Sequence, residues 1–230
     1  MITNQDIIYY TKKFDDYVKT HFSQNPTYQN NIQIKIDHSK RVCDYILDIG
    51  KSLQFSEEQL NLAHIIALFH DIGRFEQYSK YRTFSDTRSE NHAIIGVNEL
   101  RKHNILDTLK TSDKDFIYRC ILYHNKISLP SSETEKGLLF TKLLRDADKL
   151  DIYYVVTDYY AHKNEHRNTS IELELPDTDE ITYKNYLDVM NERLILIENM
   201  KNLNDFKLLQ IAWIYDINFK RSFEIIKMKK

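Results

Sequence analysis

Glycine and proline are scarce in this chain, with four and three residues among 230. Folds rich in turns lean on both residue types, so their scarcity argues against an all-β architecture and for helices with short connections. Two cysteines, Cys43 and Cys120, are too few for a disulfide framework and show no C-x-x-C spacing. A reducing, cytoplasmic setting is therefore expected. No window approaches the roughly 18–20 consecutive apolar residues of a membrane span, and Met1 to Asp6 carry no basic leader, so no membrane partner is expected. A basic surplus is missing too. Thirty-two Lys and Arg face 34 Asp and Glu, a formal net charge of −2, where a nucleic-acid binder would carry excess positive charge. No nucleic-acid polymer is expected as a partner, and Lys227, Lys229 and Lys230 read as a solvated tail.

What the chain does contain suits a soluble globular protein, with 42% hydrophobic and 29% charged residues. Ser56 followed by Gln59 has capping-box spacing, and Leu60, Ala63, Ala67 and Leu68 follow at helical intervals. Ser132 with Glu135 repeats the device ahead of Leu139, Leu143, Ala147, Leu150 and Tyr154. Ser112 and Asn204 read as two further helix starts. The pattern predicts helices near 3–22, 38–52, 57–70, 90–104, 113–124, 133–162, 180–201 and 204–226, the last broken near Asp216-Ile217-Asn218. Ser170 to Leu175 alternates like a short strand, although Pro176 makes a loop equally consistent. With no repeat or linker in view, the reading is one all-α domain over 1–230, a bundle of about eight to ten helices.

Nine histidines are the compositional feature able to carry chemistry. His38 opens a predicted helix with Val42, Tyr45, Ile46 and Ile49. His70-Asp71 ends an apolar run, His92 starts a helix, His124 ends one, and Asp148 lies in the long helix. Singly, each fits a hydrogen-bonded boundary residue or a solvated carboxylate. The pair His70-Asp71 is different, because the run Ala63–Phe69 is almost wholly apolar. A carboxylate buried after it needs a cation or donors to offset desolvation. His21, His103, His162 and His166 lie in polar runs and are expected at the surface. His64, about 240° round its helix from His70, is not expected among the ligands.

In this order and spacing, His38, His70-Asp71 and Asp148 resemble the HD-domain superfamily of metal-dependent phosphohydrolases. The run His70-Asp71-Ile72-Gly73-Arg74 looks like that family's H-D-x-G-[KR] form, and Trp213 to Phe219 is a softer match. The resemblance spans about 36–155, leaving 156–230 as a helical extension. It implies that His38, His70, Asp71 and Asp148 hold one metal and that His92 and His124 hold a second, with Asp71 bridging. The ion or ions would be Mn, Fe, Co, Ni or Zn. It also implies hydrolysis of a phosphate ester or anhydride of a small metabolite or nucleotide by a metal-bridged hydroxide. Asp71 and Arg74 would act in catalysis, and Arg74 would clamp a phosphoryl oxygen. Lys149 is a second phosphate contact or a solvated helix residue. Phe75 to Phe84 could stack a ring or simply pack. Two departures restrict the transfer. Arg74 stands where some mononucleotide-cleaving members have an acid, and the G-Y-P segment of cyclic-dinucleotide phosphodiesterases is missing. Mixed-valence di-iron oxygenases of the inositol-oxygenase type use a matching ligand set and are the alternative, with a non-catalytic metal-containing module as a third.

Overall fold

A computed structural model of the chain describes residues 2–162 and 167–228. The described residues form α-helices and 3₁₀ turns, with no strand among them. The first half contains α1 (Asn4–Lys19), α2 (Pro26–Ser52), α3 (Glu57–Phe69), α4 (Gly73–Tyr81) and α5 (His92–Lys102). The second contains α6 (Thr111–His124), α7 (Glu135–His162), α8 (Tyr183–Met190), α9 (Leu203–Ala212) and α10 (Lys220–Met228). The all-α expectation holds.

The two longest helices, α2 and α7, pack along each other, with α3 against α2 and α6 against α7. Between them lies a core that includes Ile46, Ile65, Phe69, Ile72, Phe140, Leu143 and Leu144, all at most 2% exposed. Both cysteines are buried in it. Helices α4 and α5 meet almost backbone to backbone. A Cβ on Gly73 would lie 2.1 Å from the His92 carbonyl oxygen and 2.4 Å from the Gly96 nitrogen. Only a residue without a side chain permits that approach. A second apolar cluster gathers Ile195, Phe206, Leu209 and Ala212 in the C-terminal part.

Asp146 ties that part back to the bundle. Its fully buried carboxylate accepts from the amides of Asn218 and Phe219 at 3.0 Å and from the Ser222 hydroxyl at 2.7 Å. An α7 carboxylate thus serves the orphan amides at the start of α10, where a negative charge is favoured.

Several expectations need correction. Helix α2 begins at Pro26 rather than near 38, because Asn25 caps it by accepting from the Tyr28 amide and proline suits its first turn. His38 therefore sits mid-helix. Helix α4 falls where a ring-stacking or packing segment was expected. The long helix is capped by Thr134, whose hydroxyl accepts from the Gly137 amide, not by Ser132, and its Tyr154 is 46% exposed. Lys110, not Ser112, precedes α6, and Asn202, not Asn204, caps α9. The predicted helix 180–201 shortens to α8, and the next one breaks at residues 213–219, as expected. Ser170–Leu175 forms turns with positive φ at Leu173 and Glu174, which excludes a strand.

Candidate metal centre

Five helices bring six side chains to one place. His38 comes from the middle of α2, His70 and Asp71 from the end of α3, His92 from the first residue of α5, His124 from the last of α6, and Asp148 from the middle of α7. His38 Nε2 lies 3.2 Å from His70 Nε2 and 3.2 Å from Asp148 Oδ1. His92 Nε2 lies 3.0 Å from His124 Nε2. Asp71 stands between the pairs. Its Oδ2 is 3.4 Å from His38 Nε2 and its Oδ1 is 3.3 Å from His92 Nε2. The donor atoms of His38, His70 and Asp71 lie within 4.8 Å of one another, as do those of Asp71, His92 and His124.

Each imidazole has its far nitrogen engaged. His70 Nδ1 donates to the Ala67 carbonyl at 2.7 Å, and His124 Nδ1 donates to the Ile121 carbonyl at 2.6 Å. His38 Nδ1 donates to Asp151 at 2.7 Å, and His92 Nδ1 to Asp86 at 2.7 Å. A carbonyl cannot donate, so in the neutral rings the proton sits on Nδ1 and the Nε2 lone pair faces the centre. These outer partners are themselves held. Arg41 grips Asp151, while Arg74 and Gln77 donate to Asp86. Arg145 donates to the His124 carbonyl at 2.9 Å and so closes the end of α6.

Charge follows this geometry. Burial pushes the Asp71 carboxyl up, but Lys35, His70, Arg74 and His92 hold it well below the usual carboxylate range. Burial likewise opposes ionisation of Asp148, and the neighbouring imidazoles of His38 and His70 prevail, holding it well below the usual carboxylate range. Burial, with Arg74 beside it, lowers His92. Burial and the imidazoles of His92 and His70 push His124 down to about 3. His92 and His124 are therefore neutral at pH 7, and two lone pairs face each other across 3.0 Å with no proton to share. A cation satisfies both, so the donor set fits a divalent metal. Neutral nitrogens with ionised oxygens suit Mn, Fe, Co, Ni or Zn better than Mg.

The other expected residues fall as follows. Arg74 is fixed by the Phe84 carbonyl, Gln77 and Asp86, and its Nε lies 3.5 Å from Asp71 Oδ1. Lys149 is not a solvated helix residue. It is 6% exposed and bonded to Asp216 at 2.7 Å, and burial and Arg145 lower its pKa against the pull of Asp216. His103 and His162 are exposed, and His166 lies outside the described residues. His21 departs from expectation. Its side chain is only 8% exposed, packed on Tyr17 and near Glu76. Tyr78 and Phe84 stack on each other, and Phe84 also lines the cavity over the cluster. Lys35, which reaches Asp71 Oδ2 at 2.9 Å, was not anticipated, nor were Asp86 and Asp151. The Asn25-Pro26 start signal would have placed Lys35 one turn before His38 on the same face.

Above the six side chains opens a cavity of about 470 Å³, lined at this end by Lys35, Arg74, Lys126 and Lys149. A larger one, about 760 Å³, lies beside Arg82, Arg88 and Arg167 and touches none of the six.

The family model for the HD domain matches residues 36–153, just over half of the sequence, and the chain belongs to the HD domain family. Among solved structures it is similar to a predicted HD superfamily hydrolase from an uncultured Thermotogales bacterium. That likeness has 18% identity over 78% of this chain and 87% of the other, with a TM-score of 0.44. No curated protein matches the sequence.

Proposed function

We propose that this protein is a metal-dependent phosphohydrolase acting on a small phosphorylated molecule. The observation that carries the reading is Asp71. One oxygen faces His38 and the other His92, beneath a cavity lined with Lys35, Arg74, Lys126 and Lys149. Cationic side chains at the mouth of an anionic carboxylate cluster suit a ligand that brings negative charge to a cation.

His38, His70, Asp71 and Asp148 would hold one divalent ion, and His92 and His124 with Asp71 a second. Bound there, the metal would supply Lewis acidity and a lowered pKa for water. The protein's own groups do the rest. Asp151 and Asp86 orient the imidazoles, and Arg74, held by Phe84 and Asp86, keeps its guanidinium beside Asp71 where a phosphoryl oxygen would sit. Lys35 adds a point charge on the opposite oxygen of Asp71. Lys149 shares its charge with Asp216 and acts mainly to shape the cavity wall.

The test is phosphate release by protein loaded with Mn, Co or Ni, across nucleotides, cyclic nucleotides, sugar phosphates and esters of simple alcohols. Turnover that disappears in Asp71→Asn supports the reading. Silence across the panel, with iron-dependent oxygen uptake instead, replaces it with the oxygenase chemistry.

A further inference from the structure

The cavity over the cluster changes character along its length. Eight residues separate Asp148 from Val156 on α7, about 12 Å at the helical rise, and both line the same cavity. Near Asp148 the lining is charged. Further along α7, Ile152 and Val155 line the same cavity, as do Ile171, Leu194, Ile197 and Trp213. Around Asp86 and His92 the lining is polar. Ser85 and Thr87 flank Asp86, Asn91 precedes His92, and Asn125 donates to Asp86 at 3.3 Å. Ile34, Phe84 and Ile127 add apolar lining from earlier in the chain, but most of the hydrocarbon wall comes from beyond residue 153, outside the stretch matched to the HD domain. The matched stretch supplies the candidate ligands and the cations Arg74, Lys126 and Lys149, and the C-terminal part supplies most of the apolar lining, with Glu198 and Asp216 as its charged members.

We infer that the preferred substrate is a phosphate monoester of an apolar alcohol, its phosphoryl group at the cluster and its alkyl or aryl group against the wall from Ile152 to Trp213. The inference rests on the phosphohydrolase reading and names its substrate class. The cavity volume of about 470 Å³ lies within the range of small-molecule sites. Ser170 and Glu198 also line the cavity, but along Ile152, Val155 and Val156 the side chains offer a nucleobase no hydrogen-bonding partner, a cost an alkyl group avoids. In the reaction, water oxygen bonds to phosphorus and the phosphorus–oxygen bond to the alcohol breaks. A proton from that water goes to the leaving oxygen, giving the free alcohol and inorganic phosphate.

The experiment uses the n-alkyl phosphates from ethyl to octyl on the Mn-loaded full chain, with phosphate release as one readout. The fluorescence of Trp213, the sole tryptophan, is the second, and it is also read with the corresponding alcohols on metal-free protein. The expected result is kcat/KM rising by about fourfold per methylene until the wall is spanned, with the fluorescence change following the same order. Val155→Gln and Ile171→Gln should each lower the octyl-to-ethyl ratio by about tenfold, whereas Val155→Ile should retain it. Rates that are flat with chain length, or adenosine monophosphate turned over faster than octyl phosphate, overturn the inference and leave the phosphohydrolase reading standing. A chain-length-dependent Trp213 signal without phosphate from any ester overturns the reaction and leaves the cavity's apolar preference standing.

Discussion

His92 and His124 face each other through Nε2 at 3.0 Å while Nδ1 of each ring donates elsewhere, to Asp86 and to the Ile121 carbonyl. Two neutral imidazoles so oriented repel, and burial keeps both neutral. The folded chain therefore holds an electrostatic deficit that a cation relieves, and stability should depend on metal.

Chelation should lower the melting temperature. At a hundredfold excess over Kd, a ligand that binds only the folded state stabilises it by about 2.7 kcal/mol. For a chain of this length that corresponds to roughly 5–11 °C. Differential scanning calorimetry of EDTA-treated against Mn-saturated protein measures it, and equal melting temperatures would contradict it.

Gly73→Ala should be among the most damaging single changes outside the six candidate ligands. Its methyl would overlap the His92 carbonyl and the Gly96 amide, backbone atoms that can yield only if α5 moves. A cost on the order of 3 kcal/mol is expected from overpacking, together with weaker metal binding on the His92 side. Gly96→Ala, whose nearest contact would be 3.2 Å, should be milder. Urea denaturation and metal titration of the two variants separate the effects.

Asp86 acts through His92, so Asp86→Ala should weaken metal affinity by roughly 10–100-fold. Asp86→Asn keeps an acceptor for the imidazole N–H and should recover part of the loss. Competition with a chromophoric chelator reads both. Equal affinities for wild type and both variants would remove Asp86 from the account.

Asp205 gives a pH prediction remote from the cluster. Burial raises its pKa, but the Thr182 hydroxyl and the amides of Lys201 and Thr182 hold it below its usual value. A depressed carboxyl pKa stabilises the fold above the unfolded value of about 3.9, and that contribution is lost as pH falls through the folded value. Trp213 fluorescence should report loosening of the C-terminal part as pH drops below about 4. Asp205→Asn should be less stable at pH 7 and show a shallower acid dependence.

The six cluster residues were legible because each sits at a helix end or on a helix face marked by its neighbours, in an order that a known family shares. Their supports were not. Asp151 lies one turn beyond Asp148 and reads as one more solvated acid until α2 brings His38 and Arg41 to it. Asp86 sits in a polar run with no periodicity. Lys35 was missed because the helix was expected to begin only near residue 38, whereas Asn25 and Pro26 already start α2. The apolar wall eluded sequence reading for a related reason. The pattern places Ile171 in a short strand or loop and Leu194 and Ile197 in a helix near 180–201, whereas all three lie in turns and short connections that set which side chains face the cavity.

The most direct measurement is anomalous scattering from crystals grown with Mn, collected at a wavelength where the ion's signal is strong. The account predicts density at coordination distance, about 2.0–2.3 Å, from His38, His70, Asp71 and Asp148, with a second peak beside His92 and His124 if both ions bind. Anomalous density only at surface carboxylates, with the four imidazoles unliganded, would contradict it.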